Sequence, residues 1–170
     1  MRTVLLAAFM AFIEVSAPAQ SNSSQANDDN LYSLALKASI LQMEKEWGHL
    51  GHGAYEDKIE IPTNYRHMIV RKDPVITDDL PTEFENHTIE FADDQELVDR
   101  YHKLNKSFAV LKVFPIRNQG NVLRIGVSVY WFSYKKRRLA FGVSDWSDVE
   151  FRYDCGQGTF VMSSVKLGGI

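Results

Sequence analysis

The stretch LRIGVSVYWFSYKKRRLAFGVSDWSDVEFRYDC, residues 123–155, decides the fold. From Leu123 to Tyr134 the side chains alternate, with Ile125, Val127, Val129 and Trp131 on one face and Ser128, Tyr130, Phe132 and Tyr134 on the other. A half-wet strand would carry Lys and Glu on its second face; one that carries Tyr and Phe there is covered by a helix or a ligand. Lys135, Lys136, Arg137 and Arg138 fill the expected hairpin tip. Leu139 to Cys155 is longer than the usual strand of about 3–10 residues, so a bend, bulge or turn is expected at Ser144 to Asp148. Val149, Phe151, Tyr153 and Cys155 then alternate with Asp148, Glu150, Arg152 and Asp154, one face buried and one wet, with Cys155 a small buried residue closing the strand.

Working outward, Gly156-Gln157-Gly158 turns the chain into a last strand, Thr159 to Lys166, and Phe108 to Ile116 reads as a preceding strand closed by Asn118-Gln119-Gly120. Asp93 stands three residues before Glu96 in a capping-box arrangement, and Leu97, Tyr101 and Leu104 follow at helical spacing. A first helix of 17 residues is expected from Leu31 to Trp47, capped by Asn30 and stopped by Gly48. Between the helices, residues 58–62, 66–72 and 87–91 read as short strands, and 73–86 as a long surface loop. Two helices beside an antiparallel meander make an α+β domain, expected as both helices on one face of a curved sheet, a meander roll. That element order resembles the cone-shaped rolls of the nuclear transport factor 2 and cystatin-like type. The similarity rests on order alone and implies no activity or residue role.

At the start of the chain, Arg2, an apolar run from Val4 to Ile13 and Ala17-Pro18-Ala19 have the layout of a secretory signal peptide. Residues 1–19 are therefore read as a signal and 20–30 as a disordered leader. Residues 31–170 form a single domain, secreted or periplasmic. The apolar run is too short to span a bilayer, so no transmembrane segment is expected. Cys155 is the only cysteine, which excludes an intramolecular disulfide and a cysteine-based zinc cluster. The sequons at Asn22, Asn86 and Asn105 matter only in a eukaryotic source.

The formal net charge of −3 excludes a uniformly basic nucleic-acid binder. It conceals an uneven distribution. Residues 73–99 hold ten acids and no Lys or Arg, and residues 100–138 hold ten bases and no acid. Mutual neutralisation within the fold, or between copies, is the plain expectation for the two blocks. Nucleic acid is not an expected partner, since no RNA-binding signature accompanies Tyr130, Trp131, Phe132 and Tyr134.

Tyr130, Phe132, Tyr134, Asp145 and Trp146 are the candidate ligand-binding residues, and Lys135, Lys136, Arg137 and Arg138 a candidate patch for an anion or partner. A turn at Ser144 to Asp148 is the simpler expectation and makes Asp145, Trp146 and Asp148 ordinary hairpin residues. A continuous bent strand would instead set Asp145 and Ser147 inward with Val143 and Val149. His49 and His52, with Glu56, Asp57 and His67, have donors for zinc or copper, but their spacing fits no recognised site and a solvated connector is the expectation. Asp99 and His102 could pair across one helical turn as a surface contact. Ser133 with Lys136 and Ser163 with Lys166 match a serine-lysine spacing, yet on strands such residues point to opposite faces. No catalytic residue, metal or cofactor is assigned.

The leading functional expectation is an exported, non-enzymatic domain that binds a small ligand or a protein partner on the aromatic face. One alternative is a small cone-pocket enzyme with Asp145 or Asp148 and a histidine as acid-base pair. Another is a charge-polarised structural protein that forms homo-oligomers through its complementary blocks.

Overall fold

In the computed structural model, residues 30–48 and 65–169 are described. The signal and leader readings before residue 30, the loop with His49 and His52, Glu56, Asp57 and the expected strand 58–62 all lie outside them. Helix α1 runs Leu31–Trp47 with the expected caps: Asn30 Oδ1 accepts from the Ser33 backbone N–H at 2.8 Å, and Gly48 takes the left-handed conformation at φ 70°. Its core-facing residues include Leu36, Ile40 and Met43, and also Ser33 and Ser39, while Leu41 is exposed. Strand β1 (His67–Arg71) follows, then a 3-10 turn (Thr77–Asp79), β2 (Glu83–Phe84) and β3 (His87–Ala92). The segment expected as a surface loop is anchored, because Ile76, Thr77 and Leu80 are buried.

Helix α2 (Asp94–Leu104) begins with the complete capping box of Asp93 and Glu96 and ends at Asn105 in the left-handed conformation. Strands β4 (Phe108–Val113), β5 (Arg117–Gln119), β6 (Val122–Lys135), β7 (Arg138–Asp154) and β8 (Thr159–Gly169) complete the chain. The domain is α+β, with one mixed, mostly antiparallel sheet ordered β2-β3-β1-β4-β6-β7-β8 and β5 paired to β6. One part departs from a meander: β1 lies parallel to both β3 and β4. All-parallel sheets are nearly always covered on both faces, whereas mixed sheets such as this one are common. Here only β4 is buried along nearly its whole length, whereas β1 and β3 alternate between buried and more exposed residues.

The helices lie on opposite faces of the sheet, which corrects the expectation of one. Leu36, Ile40 and Met43 of α1 pack in one core with Ile125, Val127, Val129 and Trp131. Leu97 of α2 packs in another with Phe108, Val110 and Phe132. Alternation along β4 and β6 puts these two sets on opposite sides. The second face of β6 is therefore covered by a helix over part of its length, as its aromatic content implied.

Residues 138–154 form one continuous strand, which corrects the expected turn. Val129 pairs with Asp145 while Tyr130 pairs with Val143, so Ser144 is the extra residue of a bulge. A bulge shifts the alternation by one residue. Asp145, Ser147 and Val149 consequently face α1, whereas Val143 shares the α2 face with Tyr130 and is 39% exposed. A second register shift, at Ser163, lies between β7 and β8. Beyond it the alternation loses its core: Tyr153 and Cys155 are exposed rather than buried, and Glu150, expected in water, is buried.

Candidate functional site

At 1.5 Å per residue α2 is about 17 Å long, whereas the fourteen residues of β6 extend about 46 Å. The helix therefore covers one end of the aromatic face only. Phe132 lies beneath it, fully buried, with Tyr101 edge-on at 6.3 Å and Phe108 and Phe141 at 5.2 and 5.3 Å. Tyr134 is half-buried against Tyr101 and His102. Phe132 is thus a core residue, which corrects its candidacy as a ligand contact. Tyr130, half-buried and edge-on to Phe141, marks the limit of the cover.

Past that limit the same face opens into a recess of about 450 Å³. The chain leaving β4 forms one wall with Phe114, Pro115, Ile116 and Arg117; Gly126 and Ser128 of β6 lie opposite Asp148 and Trp146 of β7. Trp146 is 38% exposed, and its indole lies on Gly168 of β8, where a Cβ would stand 2.3 Å from the ring. Only glycine permits that placement. At the floor, a Cβ on Gly126 would meet Asp148 Oδ1 at 3.4 Å and Phe114 at 3.5 Å. Arg117 closes one side through a 2.6 Å ion pair with Asp148. The recess thus offers an aromatic wall beside a guanidinium and a carboxylate, the usual mixture in a small-molecule site.

Adjacent on this face, Glu150 takes ion pairs from both Arg124 and Lys166 at 2.8 Å. The hydrogen bond from Lys166, with the Arg124 charge, holds its carboxyl below the usual 4.5 against the opposing effect of burial. Ser163 donates to the Glu150 carbonyl at 3.1 Å, so Ser163 and Lys166 both serve Glu150.

On the α1 face the polar residues are buried. Ser144 Oγ donates to Asp145 at 2.9 Å, and Ser147 Oγ donates to Ser39 of α1 at 2.6 Å. Asp145 is 1% exposed and sits on the face opposite Trp146, so the two do not share a site. Nearby, burial and the carboxylates of Asp145 and Glu44 push the Tyr65 phenol well above its ordinary range. His87 is buried, stacked on Phe84 and 3.0 Å from Glu44. An imidazole-carboxylate pair therefore exists, but its partners are Glu44 and His87, and neither lines the recess.

The basic tip is a two-residue turn between Lys135 and Arg138, with Lys136 at φ 52° and Arg137 at φ 60°. Such turns favour Asn-Gly because both residues need positive φ. Holding long side chains there costs about 1–2 kcal/mol each. None of the four bases makes an ion pair among the described residues. Among the ion pairs of the described residues, Arg100 with Glu90 joins the two charge blocks, Asp94 and Glu96 pair with Arg71 and Lys72, and Arg117 and Arg124 pair with Asp148 and Glu150.

Phe114, Pro115, Ile116 and Gly168 were not singled out by sequence reasoning. The proline at 115 ending an apolar strand was the available signal; nothing local marks Gly168 as the bed of an indole. His67 is exposed, and among the described residues no cluster of three metal-ligating side chains occurs. No described helix is long and apolar enough to cross a membrane. Comparison with family models, with curated proteins and with solved structures finds no match to this chain.

Proposed function

We propose that this is an exported, non-enzymatic binding domain that holds a small, partly apolar ligand in the recess at the uncovered end of its aromatic face. The single observation that carries this reading is the recess itself, walled by Phe114 and the exposed indole of Trp146 with Arg117 beside them. A flat ring would lie against Trp146, and a carboxylate or hydroxyl group would meet Arg117. The sheet is read as a meander roll whose bulges at Ser144 and Ser163 supply curvature around that recess. Export rests on the layout of residues 1–19.

The enzyme reading is weaker, because the described acid-base pair, His87 with Glu44, is buried away from the recess. Native mass spectrometry of protein recovered from its own host tests the proposal. Wild-type protein is expected to carry a ligand mass that Trp146→Ala loses. A wild-type mass equal to that of the bare chain, together with no binding of the ring-bearing anion anilinonaphthalene sulfonate to the recess, would overturn it.

A further inference from the structure

Helix α2 and the β6–β7 hairpin end together, at the end of β6 away from the recess at Trp146. Leu97 packs with Phe108 and Phe132, and one turn further along α2 the Tyr101 ring stands edge-on to Phe132 and Tyr134. The helix therefore runs in the same direction as β6. Its last turn lies beside the hairpin tip, where the rings of His102 and Tyr134 are 5.3 Å apart. Two segments distant in sequence, 103–107 and 133–140, thus form one end of the molecule.

Two independent features mark this end. First, Lys103 and the run Lys135 to Arg138 are exposed, and neither segment contains an acid. None of these five bases makes an ion pair among the described residues. The preceding acid on α2, Asp99, is one turn back and accepts from the Gln95 amide at 2.8 Å. Second, two leucines stand in solvent beside the bases, Leu104 at 40% and Leu139 at 37% exposure. Leu104 follows Tyr101 by three residues, on the side of the helix turned to the hairpin, and Leu139 pairs with Tyr134 on the α2 face. Charge and exposed apolar surface are therefore presented together.

We propose that this end docks on the surface of an anionic lipid bilayer. Lys103 and the tip bases meet the phosphate headgroups, and Leu104 and Leu139 enter the boundary between headgroups and acyl chains. The leucines decide between a bilayer and a soluble polyanion, because a nucleic acid or a sulfated polymer has no apolar layer to receive them. Nor is a ring free for base stacking, since Tyr134, the only aromatic residue of 133–140, is held edge-on by Tyr101 and His102. The backbone of the tip agrees: Lys136 and Arg137 stand at positive φ, where an Asn-Gly turn would be relaxed but uncharged. The recess at Trp146 lies towards the far end of β6, so this attachment leaves it open.

The test is cosedimentation of the full chain with vesicles of phosphatidylglycerol and phosphatidylcholine in equal parts, with pure phosphatidylcholine vesicles reporting any binding through the apolar run Val4 to Ile13. Binding to the mixed vesicles is expected to be roughly tenfold tighter or more, a difference that falls away in high salt. K136Q/R137Q, its fold checked by thermal melting, is expected to weaken binding to the mixed vesicles by roughly twentyfold, about fivefold for each charge removed. R137G is expected to melt at a higher temperature yet bind roughly fivefold more weakly, an opposition that a merely structural tip would not show. L104S/L139S, at two exposed positions, is expected to weaken vesicle binding by roughly tenfold while leaving retention on a heparin column unchanged. Equal binding to the two kinds of vesicle would overturn the proposal. So would wild-type binding to the mixed vesicles by K136Q/R137Q or by R137G. Wild-type vesicle binding by L104S/L139S would also overturn it, in favour of a soluble polyanion.

Discussion

The two faces of the sheet are served by helices of different length. Helix α1 is about 26 Å long and α2 about 17 Å, against strands of about 46 Å and more. On the α1 face Ile125, Val127, Val129 and Trp131 are all buried, and the polar residues there, Ser39, Ser147 and Asp145, are buried with them. On the α2 face the cover stops and the residues change with it, Tyr134, Phe132 and Tyr130 of β6 giving way to Ser128, Gly126 and Arg124, and Phe141 and Val143 of β7 to Trp146, Asp148 and Glu150. Phe132 is core, Tyr130 is half-buried and Trp146 stands in the wall of an open recess. The recess thus lies where the short helix ends and Gly126 and Ser128 leave room beneath the wall of residues 114–117.

Removing the bulge would break the comparison most severely. Without Ser144 the alternation of residues 138–143 reverses relative to 145–154, turning Phe141 away from Phe132 and α2. The deletion is expected to abolish cooperative unfolding in circular-dichroism melts; a sharp, wild-type-like transition would show that the bulge does not set the faces. Next in size is Phe132→Ala, expected to cost about 3–5 kcal/mol in denaturant unfolding, with Tyr130→Ala costing about half as much. Equal costs would mean that cover does not end where the helix does.

Trp146→Ala sharpens the contrast from the open side. A side chain 38% exposed that rests on a glycine is expected to cost only about 1 kcal/mol, while affinity for anilinonaphthalene sulfonate falls by roughly tenfold. A large stability loss with unchanged affinity would recast Trp146 as core.

Legibility in the sequence follows the same division. Both helices and their caps were readable because Asn30, Gly48 and the Asp93–Glu96 box act locally. The parallel placement of β1 was not, because a buried parallel strand and a buried antiparallel one have the same short apolar pattern. Tyr130 and Trp146 were readable as unusual residues on a strand. What the pattern lacked was the length of cover above them, the bulge that separates Asp145 from Val143, and the Gly168 bed supplied by β8. Each of these arises from pairing between segments distant in sequence. Cys155 was misread because alternation continues past the end of the core.

Two smaller effects concern the ends of the α2 face. Glu150, held below its ordinary value by Lys166 and Arg124, stabilises the fold fully above the unfolded carboxyl range near 4.5, and that contribution is lost as pH falls through the depressed folded value. Glu150→Gln is therefore expected to flatten the acid limb of the stability profile below about pH 4.5, with the two proteins converging in strong acid. An unchanged acid limb would show that the network is neutral to folding. At the other end, Arg137→Gly is expected to stabilise the protein by about 0.5–1 kcal/mol by relieving positive φ, a gain visible in thermal melts.

The most direct test is a ¹H–¹⁵N correlation titration of the protein with anilinonaphthalene sulfonate, following assigned amides and the three indole N–H signals. The expected result is a saturable, one-to-one shift of the Trp146 indole with the amides of Gly126, Ser128 and Arg117, while the amide of Phe132, beneath α2, stays still. Shifts spread evenly along the whole face, or none at Trp146, would contradict a binding recess that begins where the short cover of α2 ends.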